Sequence, residues 1–165
     1  MNEIFFKELN EEDLSSVQSI YNYYIENSTF TFHTSKISLE ELKEFIPIKH
    51  SRYKSYLIIE KDDICGYCYL SQFKKRQAYD RTAELTIYLK PNYQGKGIGK
   101  KAITFLEKVA LKEKIKVLLS IISGENTSSI KLFENQGFVK CAHYKEVGEK
   151  FGKVIDVVAY QKILL

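Results

Sequence analysis

A glycine-rich segment between a strand-like run and a helix-like run is the feature that most constrains this chain. Residues 93–100 (YQGKGIGK) carry three glycines. Glycine lets the backbone approach a ligand closely, and the first turn of a helix presents unpaired N–H groups and a positive dipole. The segment therefore predicts a loop that holds the phosphate groups of a ligand, with Lys96 and Lys100 adding positive charge. The alternative is a tight turn with no ligand.

The spacing of the glycines excludes two common phosphate-binding motifs. A dinucleotide fingerprint, G-x-G-x-x-G, that starts at Gly95 would need a glycine where Lys100 stands, and a P-loop, G-x-x-x-x-G-K-[ST], would need one at the same position. Neither type of nucleotide chemistry is indicated. The spacing that fits is Q/R-x-x-G-x-G/A, formed by Gln94, Gly97 and Gly99.

The strand-like run before this loop carries the candidate catalytic base. In residues 82–89, alternation places Glu84 and Tyr88 on one polar face and apolar side chains on the other. A carboxylate on such a face beside a ligand loop suits general-base catalysis. Its ordinary pKa of about 4.3 is low for that task, so we expect burial beside tyrosines to raise it. The alternative is a structural carboxylate that pairs with Arg76 or Arg81.

Hydrophobic periodicity indicates an α/β chain of mixed strand direction. A capping box at Ser38–Glu41 starts the second helix, and Gly137 ends the last one. The helix-like runs are residues 12–25, 38–46, 100–112 and 127–137. The first of them carries an apolar stripe formed by Leu14, Val17, Ile20, Tyr21, Tyr24 and Ile25. The strand-like runs are residues 53–60, 64–71, 82–89 and 117–122, with further strand-like segments on either side of a turn at residues 148–152.

Charge and composition narrow the class of protein. Lysine and arginine number 25 against 21 acidic residues, and this charge of +4 is spread along the chain, so nucleic-acid binding is not indicated. There is no secretory signal pattern, and no apolar run approaches the roughly 18 residues of a membrane-spanning helix. We expect a cytoplasmic protein without a membrane association. Because no linker or repeat interrupts the sequence, we also expect one domain over residues 1–165.

The cysteines and histidines do not predict a metal site. Cys65 and Cys68 are three residues apart in a strand-like run, an offset that sends their side chains to opposite faces. The three histidines, His33, His50 and His143, are too scattered for a ligand set.

The loop and its surroundings resemble the GNAT superfamily of N-acetyltransferases, whose cofactor is acetyl-CoA. The motif of Gln94, Gly97 and Gly99 is similar to the pyrophosphate loop of that family, and residues 132–138 (LFENQGF) are similar to its L-[FY]-x-x-x-G-F segment. Further similarity to the phosphinothricin acetyltransferase branch extends over residues 20–161. The resemblance implies an α/β GNAT fold, with a mixed, mostly antiparallel, twisted sheet of about seven strands and about four helices.

The resemblance also implies roles for individual residues. Glu84 would be the general base, acting through a water. The acceptor pocket would contain Phe32, Lys74, Arg76, Tyr79 and Tyr88, with the cations facing a carboxylate or phosphinate. The acetyl-CoA site would contain Ile87, Tyr88, Leu89, Gln94, Gly95, Lys96, Gly97, Ile98, Gly99, Lys100, Asn126 and Phe133.

One position departs from the family pattern. Phe133 stands where many members have a tyrosine that protonates the leaving thiolate, so the general acid has no candidate. The expected activity is N-acetylation of a small amino-acid-like substrate such as phosphinothricin or methionine sulfoximine. Acetylation of a protein N-terminus or a polyamine, and a non-catalytic acyl-CoA sensor, are the alternatives. By the same resemblance we expect a homodimer.

Overall fold

The elements of the computed structural model, which describes residues 2–165, follow the sequence expectation closely. The helices are α1 (Leu14–Asn27), α2 (Leu39–Lys43), α3 (Ile98–Lys112) and α4 (Thr127–Asn135). The strands are β1 (Ile4–Glu8), β2 (Ser55–Glu60), β3 (Asp63–Gln72), β4 (Thr82–Leu89), β5 (Val117–Ser123), β6 (Val139–Lys150) and β7 (Lys153–Ile163). Short 3-10 turns precede α1, β4 and α3.

All seven strands form one sheet in the order β1-β2-β3-β4-β5-β7-β6. Neighbouring strands run antiparallel except β4 and β5, which are parallel. This arrangement confirms the expected mixed, mostly antiparallel sheet of seven strands with four helices.

The sheet separates two hydrophobic cores, because alternate residues of each strand point to opposite faces. On β3, Cys68 and Leu70 pack into the core that α3 and α4 cover, whereas Tyr67 and Tyr69 pack into the core under α1 and α2. The α1 stripe of Leu14, Val17, Ile20, Tyr21, Tyr24 and Ile25 is buried as its spacing predicted.

Two local expectations were wrong. Cys65 and Cys68 lie in the same core rather than on opposite faces, because a β-bulge inserts Cys65 between the pairs Ile58–Gly66 and Ile59–Ile64. Helix α2 begins at the predicted capping box but ends at Lys43 instead of continuing to residue 46. Residues 44 and 45 form a turn instead, and Pro47 disfavours the helical region for the residue before it.

The structure locates the two hairpin turns more closely than the sequence did. The β2–β3 hairpin turns at Lys61 and Asp62, both with positive φ, as a two-residue hairpin requires. The last hairpin turns at Phe151 and Gly152, at the end of the predicted range, so β6 continues through Gly148.

The parallel pair of central strands diverges soon after it forms. Only Thr82, Ala83 and Glu84 of β4 pair with β5, opposite Val117, Leu118 and Leu119. Beyond these pairs, β4 continues to bond β3 on its other edge as far as Leu89. Within the described residues, the β5-facing edge of β4 therefore has no strand partner after Glu84, and an opening forms between the two strands.

Candidate active site

A cleft of about 260 Å³ occupies the opening between the diverging strands. It extends from the second half of β4 to the glycine-rich loop and is closed on the far side by the start of α4. Its lining residues are Tyr24, Phe30, Ile87, Tyr88, Leu89, Gln94, Gly95, Gly97, Ile98, Gly99, Lys100, Asn126, Ser128, Ser129, Leu132 and Phe133.

The start of α3 gives the cleft a ring of free hydrogen-bond donors. Among residues 2–165, the main-chain N–H groups of residues 95–100 have no hydrogen-bond partner, and the first bond of the helix is from Lys101 N to Gly97 O. Gly97 occupies the N-cap position with φ of 77°, and no side chain caps the helix. Unpaired N–H groups at a helix N-terminus, next to a cavity, form an anion site. The residues present therefore fit a diphosphate group.

The start of α4 borders the same cleft. Asn126 is the N-cap of this helix, and its Oδ1 accepts a hydrogen bond of 3.2 Å from Ser129 N. Ser128 and Ser129 line the cleft beside it. The carbonyl side of the Asn126 amide is thus used to hold the helix start, which fixes the residue at the cleft wall.

A hydrogen-bonded link joins α1 to the glycine-rich loop. The hydroxyl of Tyr24 donates to Leu89 O and accepts from Gln94 Nε2, the latter at 2.6 Å. The sequence predicted Gln94 as a ligand-loop residue but placed Tyr24 only in the helical core stripe. The link sets the position of the loop relative to the end of β4.

Glu84 lies at the last paired position of β4, on the face opposite α3. Its side chain is half-buried, and desolvation raises the pKa of its carboxyl above the ordinary value, an effect that the Lys74 ammonium partly offsets. Neither Arg76 nor Arg81 is within ion-pair distance of it in the described part of the chain. The structure therefore does not contain the ion pair that the structural alternative required, and a raised pKa is what a general base needs.

Glu84 faces a second, more open cavity of about 720 Å³, here called the groove. The groove lies on the α2 side of the sheet and combines aromatic side chains with lysines. Its lining residues are Lys43, Glu44, Phe45, Ile46, Pro47, Ile48, His50, Tyr53, Tyr69, Ser71, Gln72, Phe73, Lys74, Lys75, Glu84 and Thr86.

A small recess adjoins the cleft and shares one lining residue, Thr86, with the groove. It occupies about 50 Å³ between residues 85–88 of β4 and residues 120–123 of β5, immediately beyond the last strand pair. Thr86 lines both the recess and the groove, while Tyr88 lines both the recess and the cleft. A reacting group in the recess would thus lie next to the groove that contains Glu84.

The structure brings most of the predicted cofactor residues together. Of that set, all but Lys96 line the cleft. The Lys96 ammonium instead lies over the Tyr93 ring, 5.3 Å from its centroid. The assignment of these residues to acetyl-CoA stays a prediction.

The predicted acceptor residues are more dispersed. Lys74 lines the groove and Tyr88 lines the cleft. Phe32, Arg76 and Tyr79 are exposed and line neither cavity, although the Tyr79 ring packs edge-on against Phe73 of the groove. Their role in acceptor binding also stays a prediction.

Sequence reasoning missed five residues of the cleft wall. Two, Ser128 and Ser129, lie in the first turn of the helix that Asn126 caps, and this position was an available signal. Leu132 was noted only as part of a family segment. The burial of Tyr24 and the aromatic character of the loop containing Phe30 gave no indication of which cavity these residues meet. The five residues are Tyr24, Phe30, Ser128, Ser129 and Leu132.

Phe133 is buried in the core and packs edge-on against Phe138, with ring centroids 4.9 Å apart. It reaches the wall of the cleft without a polar atom, so it cannot donate a proton. No group of three or more metal-ligating side chains occurs within residues 2–165. Over the same residues, no helix has the length and apolar character to cross a bilayer.

Comparisons with known proteins agree with this geometry. The profile of the acetyltransferase (GNAT) domain matches residues 6–159. A phosphinothricin N-acetyltransferase from Streptomyces coelicolor is 30% identical over 159 residues, covering 93% of this chain and 92% of the relative.

Two solved structures superpose on nearly the whole chain. A GNAT superfamily phosphinothricin acetyltransferase from Sinorhizobium meliloti, solved in complex with acetyl-CoA, has a TM-score of 0.91 and 29% identity, covering 98% of this chain and 88% of that one. A ribosomal-protein-alanine N-acetyltransferase from Brucella melitensis has a TM-score of 0.85 and 28% identity, covering 97% and 99%. From the family match, the diverging strands and the uncapped glycine-rich helix start, it follows that this chain belongs to the GNAT family of acetyl-CoA-dependent N-acetyltransferases.

Proposed function

We propose that the protein transfers the acetyl group of acetyl-CoA to the primary amine of a small amino-acid-like substrate, such as phosphinothricin, methionine sulfoximine or methionine sulfone. The observation that carries this proposal is that a single strand, β4, borders both cavities. Its unpaired edge faces the cleft, and Glu84 on the same strand faces the groove. Acetyl-CoA in the cleft and the acceptor amine in the groove would therefore both lie against this one strand.

The residues of the cleft fit acetyl-CoA, which when bound supplies an acetyl group activated as a thioester. The free N–H groups of residues 95–100 would hold the diphosphate, and the exposed Lys100 would add charge. The unpaired edge of Ile87 and Tyr88, with Asn126 opposite, would hold the pantetheine arm.

Glu84 would accept the proton that the substrate ammonium must lose before the nitrogen can attack. Burial raises the pKa of its carboxyl, which brings its basicity closer to that of the amine. The groove around it has room for an ordered water, through which the proton can pass. A leaving thiol with an ordinary pKa of about 8.5 needs little assistance, so Phe133 at the cleft wall is compatible with turnover.

The groove suits an acceptor with a negative group. Lys43, Lys74 and Lys75 line it, while Glu84 and Glu44 are the carboxylates among its lining residues. A carboxylate or phosphinate would be attracted to the lysines, and the amine would then face Glu84. Exposed Arg76 and Tyr79, on the segment that follows the lysines, remain part of this proposal as contributors to the acceptor site.

The test is a thiol-release assay with acetyl-CoA against free amino acids, phosphinothricin, methionine sulfoximine, methionine sulfone, polyamines and peptides. We expect turnover with small amino-acid-like amines. The structural likeness to a ribosomal-protein-alanine N-acetyltransferase makes protein N-termini the second candidate, and turnover with peptides alone would favour it. Binding of acetyl-CoA without turnover of any amine would favour the acyl-CoA sensor and contradict the proposal.

The proposal extends to assembly and compartment. Val139, Tyr144, Val147 and Val154 on the β6–β7 hairpin are each more than half exposed, an apolar surface that a second copy of the chain could cover. We therefore infer a homodimer, which light scattering of the purified protein tests. Unpaired Cys65, Cys68 and Cys141 are compatible with the reducing cytoplasm, and residues 1–165 would act as one catalytic domain.

A further inference from the structure

Two phenylalanine side chains line the recess between β4 and β5. They are Phe133 of α4, which is buried in the core under α3 and α4, and Phe30, from the segment after α1. Phe30 also lines the cleft, so it lies where the recess meets the cleft. Phe133 is fixed in the core, whereas Phe30 depends on its own segment for its position.

The segment around Phe30 is fastened at several points. Ser28 Oγ donates to Tyr24 O at 2.8 Å and accepts from Phe30 N at 3.2 Å, which ties the segment to the end of α1. Thr29 Oγ1 donates to Glu125 Oε2 at 2.6 Å, and Glu125 also pairs with Lys153 of β7. These hydrogen bonds thus fix the position of the segment that carries Phe30.

A buried lysine holds the residue that follows Phe30. Lys150, at the end of β6, is 4% exposed, and its ammonium donates to Thr31 O at 3.2 Å and to Thr31 Oγ1 at 3.1 Å. Within residues 2–165 it forms no ion pair. Burying a charge without a counter-charge is costly, and desolvation lowers the pKa of Lys150 accordingly. The protein bears this cost to hold Thr31, and with it Phe30, in one position. This suggests that the position of Phe30 serves the function of the protein.

We propose that the recess receives the acyl group of the donor, and that Phe30, positioned by the Lys150–Thr31 contact, limits this group to acetyl. Phe30 is then a residue that determines donor specificity, and Lys150 is a positioning residue. This inference rests on the proposed function, because it needs the thioester end of acetyl-CoA to reach the recess from the glycine-rich loop.

The size of the recess supports the assignment. A water molecule needs roughly 10–15 Å³ of such space, so about 50 Å³ accommodates a group of a few heavy atoms. Each added methylene that a pocket cannot place lowers kcat/KM by about 10- to 200-fold. We therefore expect the wild-type protein to use acetyl-CoA well, propionyl-CoA poorly and butyryl-CoA least.

The experiment measures kcat/KM for acetyl-, propionyl- and butyryl-CoA with one fixed acceptor amine. Phe30→Leu and Phe30→Ala should raise the butyryl-to-acetyl ratio by about tenfold or more, since they vacate the wall of the recess. Phe30→Trp should lower the propionyl-to-acetyl ratio. Lys150→Met should shift the butyryl-to-acetyl ratio in the same direction as Phe30→Leu but less, and Lys150→Arg, which keeps a cationic donor, should restore part of the wild-type ratio.

Two controls separate this effect from general destabilisation. Phe5→Ala removes a phenyl ring that is 57% exposed on edge strand β1, and Lys145→Met removes an exposed lysine from β6, the strand of Lys150. Both should leave the ratio unchanged. Loss of overall rate without a change in the ratio is what a merely structural role would give.

Each remaining outcome decides the matter. An unchanged acyl ratio in both Phe30→Leu and Phe30→Ala, or a change only in KM for the acceptor, overturns the inference while leaving the acetyltransferase function intact. If a variant is folded but inactive, calorimetry with acetyl-CoA and butyryl-CoA replaces kinetics. A ratio of the two affinities that equals the wild-type ratio then also overturns the inference. A wild-type protein that releases no thiol from acetyl-CoA with any amine overturns the proposed function, and this inference with it.

Discussion

The cleft and the groove both border β4, but different parts of the chain form them. The cleft lies between the end of β4 and the starts of α3 and α4, next to the free main-chain N–H groups of residues 95–100, and most of its lining residues fall within 87–133. The groove is formed by side chains from two separate parts of the chain, residues 43–53 and 69–86. This contrast suggests that the proposed donor site is fixed by local backbone geometry, whereas the proposed acceptor site depends on side chains that can change with the substrate.

The largest effect should come from the residue that serves the groove chemically. Glu84→Gln removes the proposed base, so we expect kcat to fall by about 10²–10⁴-fold, while the affinity for acetyl-CoA measured by calorimetry stays the same. Since the pKa of Glu84 is raised in the folded chain, its charged form costs stability at pH 7, and the neutral amide should keep or raise the Tm. Glu12→Gln, at an exposed site before α1, is the control. Wild-type rates in Glu84→Gln would exclude this residue as the base.

The cleft should respond to a change of backbone rather than of charge. Gly97→Ala forces a side chain onto a residue with φ of 77°, at a cost of roughly 1–2 kcal/mol, and disturbs the N–H groups at the start of α3. We expect about tenfold weaker binding of acetyl-CoA with an unchanged KM for the acceptor.

Gly152→Ala is a matched control for that backbone change. Gly152 has φ of 70° and, like Gly97, open space where a Cβ would lie, but it is at the tip of the last hairpin. Both variants should lose similar stability in urea titrations, and only Gly97→Ala should lose affinity. Equal affinity in the two would mean that residues 95–100 do not hold the diphosphate.

A smaller effect is expected from the cation of the groove. Lys74→Gln should raise the KM for the acceptor by about 3- to 10-fold, as for an exposed charge contact worth about 1 kcal/mol, and should leave acetyl-CoA binding unchanged. Because the ammonium of Lys74 lowers the pKa of Glu84, its loss should move that pKa further up. The acidic limb of the kcat/KM profile, where Glu84 loses its proton, should therefore shift to higher pH. Lys108→Gln on α3 is the control, and a limb shifted to lower pH would contradict the assignment.

The smallest effect concerns the link between α1 and the loop. Tyr24→Phe removes the hydrogen bond that the hydroxyl donates to Leu89 O and the one that it accepts from Gln94 Nε2, which we expect to cost about 1 kcal/mol and about 2–4 °C in Tm. Acetyl-CoA should bind two- to threefold more weakly. Tyr23→Phe, at the neighbouring exposed position of α1, should change neither quantity. An acceptor-specific effect of Tyr24→Phe would show that the link serves the groove instead of the cleft.

The parts of the fold that were predicted correctly depend on local rules. The limits of β4 agree with the predicted strand, since Pro91 and the glycines after it end the alternation. The capping box at Ser38 and the glycine stop at Gly137 also agree, because both are backbone requirements of a single helix end.

The parts that were missed depend on contacts between distant segments. The bulge at Cys65 is a property of the pairing between β2 and β3, which the alternation of one strand does not reveal. The burial of Lys150 depends on Thr31, which is 119 residues away in the chain. Lys74 and Arg76 were both assigned to the acceptor site, and of these two cations only Lys74 lines the groove.

The sequence by itself determined the class of sheet, the glycine-rich start of α3 and the polar face that carries Glu84, since hydrophobic periodicity and glycine positions act over a few residues. The tertiary structure alone decided that β4 and β5 separate after three pairs and that Tyr24 and Phe30 reach the opening. It also decided that Glu84 has no arginine within ion-pair distance among residues 2–165. The reason is physical. The width of an opening between strands, and the groups that surround a buried charge, depend on how whole helices and strands pack, and no local sequence pattern encodes that packing.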